Sequence, residues 1–361
     1  MTGSPENTVF YAFQAEQRAL KDDVQAASKR MSKEEFETYR TQQLDKNDSL
    51  IQKFIEIHPD LLFTRMMKST IPIDVPLVND RGDSLTNQER YEYYAEHYFD
   101  NIPIDEDFML RTPENVGFNK KLENYFNETL KYATPEFIIS HVDAIIDRAR
   151  TAPEMFKYLV HTTAERYLQS NVMVYDEVYV HMIHRYYATG EAVWASPSSI
   201  DENVHRADIW EKILVGKTAP ELILKDTMGT FHSLRMECSQ HQYTLLIFWS
   251  PTCGHCKVTI PEMHEIYEKY KKEYDIAAFA ILSEPDDATR PKWKKFINQH
   301  ELGDWLHLDG GEANVDWKEV YDVITTPKIF LLDRERKILF KKFSAETLEG
   351  IIKSQLKKVG E

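Results

Sequence analysis

Two cysteines separated by two residues, Cys253-Gly254-His255-Cys256, lie between an apolar run, Thr244-Leu-Leu-Ile-Phe-Trp249, and a long segment of helical character. Thiols at that spacing can close a small disulfide ring, so the chemistry they point to is redox exchange. A strand that runs directly into a helix leaves Cys253 at the helix N-terminus, where unpaired N–H groups and the helix dipole favour a thiolate. Cys253 therefore reads as the attacking thiol. Cys256, expected one turn into the helix and less exposed, is placed to attack a mixed disulfide formed by Cys253, which makes it the resolving thiol. A protonated His255 between them stabilises the thiolate and shifts the couple toward the oxidising side.

Other uses of the pair fit less well. A structural zinc site needs four ligands, and the one further cysteine is Cys238, with no second close pair of Cys or His to complete it, so no metal is expected. His181 and His184 share a helical spacing that can ligate metal but lack a third partner in the sequence. A structural disulfide across two residues constrains very little chain. Cys238, after Leu234-Arg-Met-Glu237, reads as a free thiol acting as a small apolar side chain, with a regulatory disulfide as the alternative.

Far downstream, Ile324-Thr-Thr-Pro-Lys-Ile-Phe-Leu-Leu332 sets a proline immediately before an apolar strand. An ordinary trans proline at a strand start is the common case. Beside a CxxC pair, the reading becomes a cis Thr326-Pro327 bond that packs against the cysteines and offers the Thr326 backbone to an incoming peptide.

The elements that must hold these groups divide the chain in two. Of its 361 residues, 216 to 361 carry 21 Lys+Arg against 23 Asp+Glu, leaving 23 against 36 in the first 215, so −13 of the net charge of −15 belongs to the N-terminal part. Phosphate binding needs clustered cations, which argues against nucleic acid or an anionic membrane as partner. No apolar run is long enough for a transmembrane helix, and Met1-Thr-Gly-Ser-Pro5 lacks the basic-then-apolar pattern of a secretory signal.

Residues 6 to about 212 read as successive helices. Thr112-Pro113-Glu114 and Thr134-Pro135-Glu136 each supply a capping hydroxyl, a proline at the first helical position and an acid in the first turn, and Ala152-Pro153-Glu154 repeats the last two. Gly190 supplies a stop, and Ser196-Pro197 opens a last helix toward Lys212. Tyr91, Tyr93, Tyr94, Tyr98 and Phe99, and later Tyr175, Tyr179, Tyr186 and Tyr187, read as half-buried packing rather than a ligand groove.

From Gly216 onward the chain resembles the TlpA/ResA type of thioredoxin-like domain. The matching features are Gly216-Lys-Thr-Ala-Pro220, a hairpin around Asp226 to Thr230, Phe248-Trp249 ahead of the CxxC, Pro261 in the following helix, an insertion from about Glu284 to Asp316, and Thr326-Pro327 before the last strand pair. The preceding helices resemble, less specifically, the extension of Bacteroidetes-type relatives. The resemblance implies an all-helical N-terminal domain over 1–212 followed by a thioredoxin-like α/β domain over 216–361, a central mixed sheet flanked by helices.

It further implies a thiol-disulfide oxidoreductase acting on protein or peptide disulfides, with an additional redox partner and no cofactor beyond a Cys253–Cys256 disulfide. Trp249 would shield the pair, and Thr326-Pro327 would dock substrate. Such proteins act in the periplasm or cell envelope, whereas the missing signal, read literally, implies the cytoplasm. Because relatives often carry a small β-rich domain and a lipoprotein signal earlier, the chain reads as a piece of a longer precursor.

The chain also departs from the pattern. Ile247 and Thr259 stand where relatives carry a buried acid, which leaves Glu262 and Glu284 as candidate proton acceptors for Cys256. A thiol peroxidase would place its threonine further from the reactive cysteine than Thr252 stands. The alternative from another class is an assembly module, in which the acidic helices recognise a partner and the redox domain is incidental.

Overall fold

The structure is a computed structural model and describes residues 3–113 and 117–358. Packing groups the chain into two compact units that divide after Leu159.

The first unit is helical. Pro5–Ser28 and Lys33–Ile57 pack together through Phe13, Leu50 and Ile51, with Phe63 of the short helix Leu62–Lys68 completing the cluster. Their starts follow from local chemistry. The Ser4 hydroxyl accepts from the Asn7 N–H, and Ser32 with Glu35 forms a reciprocal capping box that satisfies two N–H groups the helix leaves unpaired. Thr86 and Glu89 repeat this box ahead of Asn87–His97.

Thr134-Pro135-Glu136 opens Pro135–Arg148 as expected, with the Thr134 hydroxyl accepting from Phe137 N. The start expected at Thr112-Pro113-Glu114 includes Glu114, which lies outside the described residues. The next described helix, Phe118–Asn124, begins later, and its first N–H donates to Thr112 Oγ1 at 2.9 Å. Gly117 permits this turn, since a Cβ there would meet Pro113 O at 2.4 Å. Tyr91 and Tyr98 are half-buried as expected and donate their hydroxyls to the carbonyls of Thr129 and Lys121, whereas Tyr94 is exposed and Phe99, Tyr179, Tyr186 and Tyr187 are fully buried, deeper than the half-buried packing the sequence suggests.

In the second unit Asp176–Met182 continues into a π-turn at Ile183–Tyr187, and the chain reverses at Gly190 with φ +84°. Pro197–Lys212 follows, capped by Ser196. Helix gives way to sheet after Lys212, the point at which the sequence suggests a division, whereas the packing groups the helices from Val160 onward with the sheet.

The sheet has seven strands: β1 Ile223–Asp226, β2 Phe231–Ser233, β3 Tyr243–Trp249, β4 Ile276–Leu282, β5 Leu306–Ala313, β6 Lys328–Asp333 and β7 Ile338–Lys341. Their order is β2-β1-β5-β4-β3-β6-β7, with β3, β4 and β5 parallel and the outer strands antiparallel. Side chains alternate across a strand, so Leu245, Ile247 and Trp249 of β3 enter one core while Leu246 and Phe248 enter the other. The helix Cys256–Tyr274 covers the first face through Cys256, Ile260, Met263, Tyr267, Tyr270 and Tyr274. These elements make up the expected architecture, a helical N-terminal region followed by a thioredoxin-like mixed sheet with flanking helices.

Candidate active site

β3 ends at Trp249, and a short turn, Ser250 to His255, carries the chain into the helix that opens at Cys256. The second cysteine thus begins the helix instead of lying a turn inside it. The hydrogen-bond ladder still reaches back to the first cysteine, because Lys257 N donates to Cys253 O at 3.2 Å. Cys253 is half-buried at the surface, and Cys256 is fully buried in the core that also holds Trp249. Pro261 sits half-buried within the helix, where its ring removes the N–H that would otherwise reach Lys257 O.

The loop ahead of β6 brings Thr326 and Pro327 to the cysteines, joined by a cis peptide bond. The Cys253 thiol donates to Thr326 O at 3.2 Å. β6 pairs antiparallel with β3, Phe248 opposite Lys328, so the two strand ends present their loops side by side.

The two thiols differ in acidity. Partial burial pushes the Cys253 thiol up, but hydrogen bonding by the Thr326 side chain, the Cys256 backbone and side chain and the His255 backbone outweighs it, leaving the thiol below its ordinary value. His255 therefore contributes through its backbone N–H, whereas the sequence points to its imidazole. Burial pushes Cys256 up to about 12, despite hydrogen bonds from the Ser250 backbone and Thr326 that favour its thiolate. Cys238, buried in the opposite core, is pushed up by burial to about 11.

The groups that bear most on the Cys256 thiol are the Ser250 backbone, Thr326 and Cys253, and the two acidic candidates have other surroundings. The Glu284 carboxylate accepts from Ser250 Oγ and Thr252 Oγ1, each at 2.6 Å, and these two bonds hold it below the ordinary carboxylate range. Its position follows from register: Trp249 and Leu282 are paired in the parallel β3–β4 ladder, so both chains leave the sheet together. Glu284 thereby ties down the turn that carries Cys253, a role the sequence reading missed although Ser250 and Thr252 flank the motif. Glu262 is exposed and lines a cleft beside Pro327. Among other titratable clusters in the described residues, His264, Glu268 and Asp304 converge, but the Lys271 ammonium already bonds both carboxylates.

Similarity to known proteins agrees with this geometry. Residues 241–338 match a family model described as thioredoxin-like, and residues 39–203 match a domain of unknown function (DUF5106). The thiol-disulfide oxidoreductase ResA of Bacillus thuringiensis subsp. konkukian is 28% identical over 149 residues, 41% of this chain and 80% of that protein. ResA of Bacillus anthracis is 29% identical over 146 residues, 40% of this chain and 79% of that protein. A crystal structure of a thioredoxin-like protein from Bacteroides caccae superposes with a TM-score of 0.62 at 20% identity, covering 79% of this chain and all of that one, a likeness of fold. The chain is thus TlpA/ResA-like: its thioredoxin-like domain is similar to the ResA thiol-disulfide oxidoreductases, and a long helical region lies ahead of it.

Proposed function

We propose that this protein exchanges disulfides with protein or peptide substrates through Cys253 and Cys256. The observation that carries the reading is the asymmetry of the thiols: an accessible Cys253 with a lowered pKa beside a buried Cys256 pushed up to about 12. The Cys253 thiolate attacks one sulfur of a substrate disulfide, forming a mixed disulfide and releasing a substrate thiolate. Cys256 then loses its proton, attacks the Cys253 sulfur and expels the second substrate thiolate. Two electrons pass to the substrate, which leaves as a dithiol, and the protein is left with a Cys253–Cys256 disulfide that serves as its only redox group. The reverse sequence oxidises a dithiol substrate.

The Thr326 backbone and Pro327 form the docking edge for the substrate chain, and Trp249 fixes the core against which Cys256 rests. A second protein redox partner resets the couple. The family resemblance supports action in the periplasm or cell envelope, and no helix among the described residues is long and apolar enough to cross a membrane. Trapping tests the reading: a Cys256→Ala variant should accumulate a mixed disulfide through Cys253 in an extract of its native cells, and Cys253→Ser should accumulate none. Equal trapping by both variants would overturn it.

A further inference from the structure

The Thr326 carbonyl that meets the Cys253 thiol belongs to a segment, 323–327, whose tip is open to solvent: Ile324 is 75% exposed, and Thr325 is exposed as well. The amides of Val323 and Ile324 bond back to Lys318 O and Asp322 O at the near end of the segment. Packing at the tip therefore does little to fix where Thr326 stands. A hydrogen bond to a thiol, however, weakens with a small displacement of its partner.

The two ends of this segment are tied to each other. Lys328, opposite Phe248 of β3, turns its side chain back along the loop, and its Nζ donates to Asp322 O at 2.5 Å and to Asp322 Oδ2 at 3.3 Å. Asp322 takes a left-handed φ of +50°, which aspartate tolerates better than most side chains. Its carboxylate is 16% exposed and also accepts from Trp210 Nε1 at 2.9 Å. That N–H is the one donor an indole has. Trp210 lies in the last turn of Pro197–Lys212 and is buried, with its ring 5.0 Å from that of Tyr179 and the Lys342 ammonium 5.2 Å from its centroid. A side chain of the helical segment, itself held on two sides, thus grips one end of the loop that reaches Cys253.

We infer that Trp210 and Asp322 are positioning residues for disulfide exchange: Trp210 holds Asp322, Asp322 and Lys328 close the segment between them, and the closed segment places Thr326 against Cys253. The inference rests on the exchange reading above and gives the helix ahead of the sheet a part in it.

The test breaks the contacts one at a time in the full chain. Trp210→Phe keeps a ring against Tyr179 and removes the N–H. Asp322→Gly removes the carboxylate and suits the left-handed φ, whereas Asp322→Asn keeps an oxygen for the indole. The Thr326 side chain helps hold the Cys253 thiolate, so the alkylation profile of Cys253 should move to higher pH in Trp210→Phe and further in Asp322→Gly. It should stay near the unaltered profile in Asp322→Asn. Exchange with a disulfide-closed peptide should fall about tenfold in Trp210→Phe. Adding Trp210→Phe to Asp322→Gly should cost nothing more, because both changes interrupt one line of contacts.

An unmoved alkylation profile in Trp210→Phe, whether or not the urea midpoint falls, overturns the positioning role and leaves exchange standing. So do additive losses in the double variant. A moved profile in a chain that exchanges no peptide even when unaltered overturns exchange and leaves the placement of Thr326 by Trp210 standing. Should Asp322→Gly fail to fold, the profile of Trp210→Phe against the unaltered chain decides the matter.

Discussion

Asp176 and Lys341 form an ion pair at 2.6 Å with 3% of each side chain exposed, joining the helical segment of the second unit to the last strand of its sheet. Burial pushes the Lys341 ammonium below its ordinary pKa, and Asp176 works against that shift. Removing the carboxylate leaves a buried cation without its partner, which costs about 3–5 kcal/mol. Asp176→Asn should lower the urea midpoint of the full chain accordingly, while the double variant Asp176→Leu with Lys341→Met should recover most of the loss. An unchanged midpoint for Asp176→Asn would show that water takes over the carboxylate's role.

Only Cys253 should alkylate rapidly at neutral pH in the folded protein, because burial pushes Cys256 and Cys238 up to about 12 and about 11. Iodoacetamide labelling followed by mass spectrometry checks this. Rapid labelling that survives Cys253→Ser would reject the assignment.

The contribution of His255 can be split between backbone and ring. Its φ of −67° suits proline, so His255→Pro removes the N–H directed at Cys253 with little strain, whereas His255→Ala removes only the imidazole. The alkylation profile of Cys253 should move to higher pH in the proline variant and stay in place in the alanine variant. The opposite pattern would restore the imidazole as the active group.

Glu284→Ala releases the hydroxyls of Ser250 and Thr252 and loosens the turn that carries Cys253. Hydrogen bonds to a charged group are worth about 1.5–3 kcal/mol, and the exposure of Glu284 places the effect toward the low end, about a tenfold fall in peptide-disulfide exchange. Glu284→Gln, which still accepts from both hydroxyls, should retain most of the rate. Equal rates in both variants and the unaltered protein would remove Glu284 from the positioning of the turn.

His307 provides a pH signature for stability. Burial pushes its pKa down to about 4, and the ring donates from Nε2 to Leu302 O at 2.7 Å among Trp249, Trp293 and Trp305. Above about pH 6.5 the ring is neutral in both folded and unfolded chains. Below that, the unfolded chain takes up the proton first, so stability falls as pH drops toward 4, by about 3 kcal/mol in total. Urea denaturation across this range should show that slope, and His307→Gln should flatten it.

How much of this was legible in the sequence depends on the range of the interaction. Cys253 and Cys256, the Thr134 cap and the last helix after Ser196 were readable because neighbouring residues determine them, and the hairpin at Asp226 to Thr230 followed from the family resemblance. Lys341 was not. It looks like a surface cation at the end of a strand, and its burial is explained by Asp176 and the Ile213 carbonyl, both far away in the chain. The tie from Glu284 to Ser250 and Thr252 was hidden for a related reason, because it depends on the parallel alignment of β3 with β4. The π-turns at Tyr125–Thr129 and Ile183–Tyr187 leave no local signature comparable to a proline or a capping box.

The pairing of Trp249 with Leu282 sets where insertions can be tolerated. A residue added within either strand would turn every later side chain on that strand to the opposite face, sending Glu284 away from Ser250 and exchanging the contents of the two cores. Added after Ala288, beyond the turn, the same residue would leave both partners in place. Length variation among related chains should therefore collect in the segment before β5, and the six residues from Ser250 to His255 should keep a constant count even where their identities change.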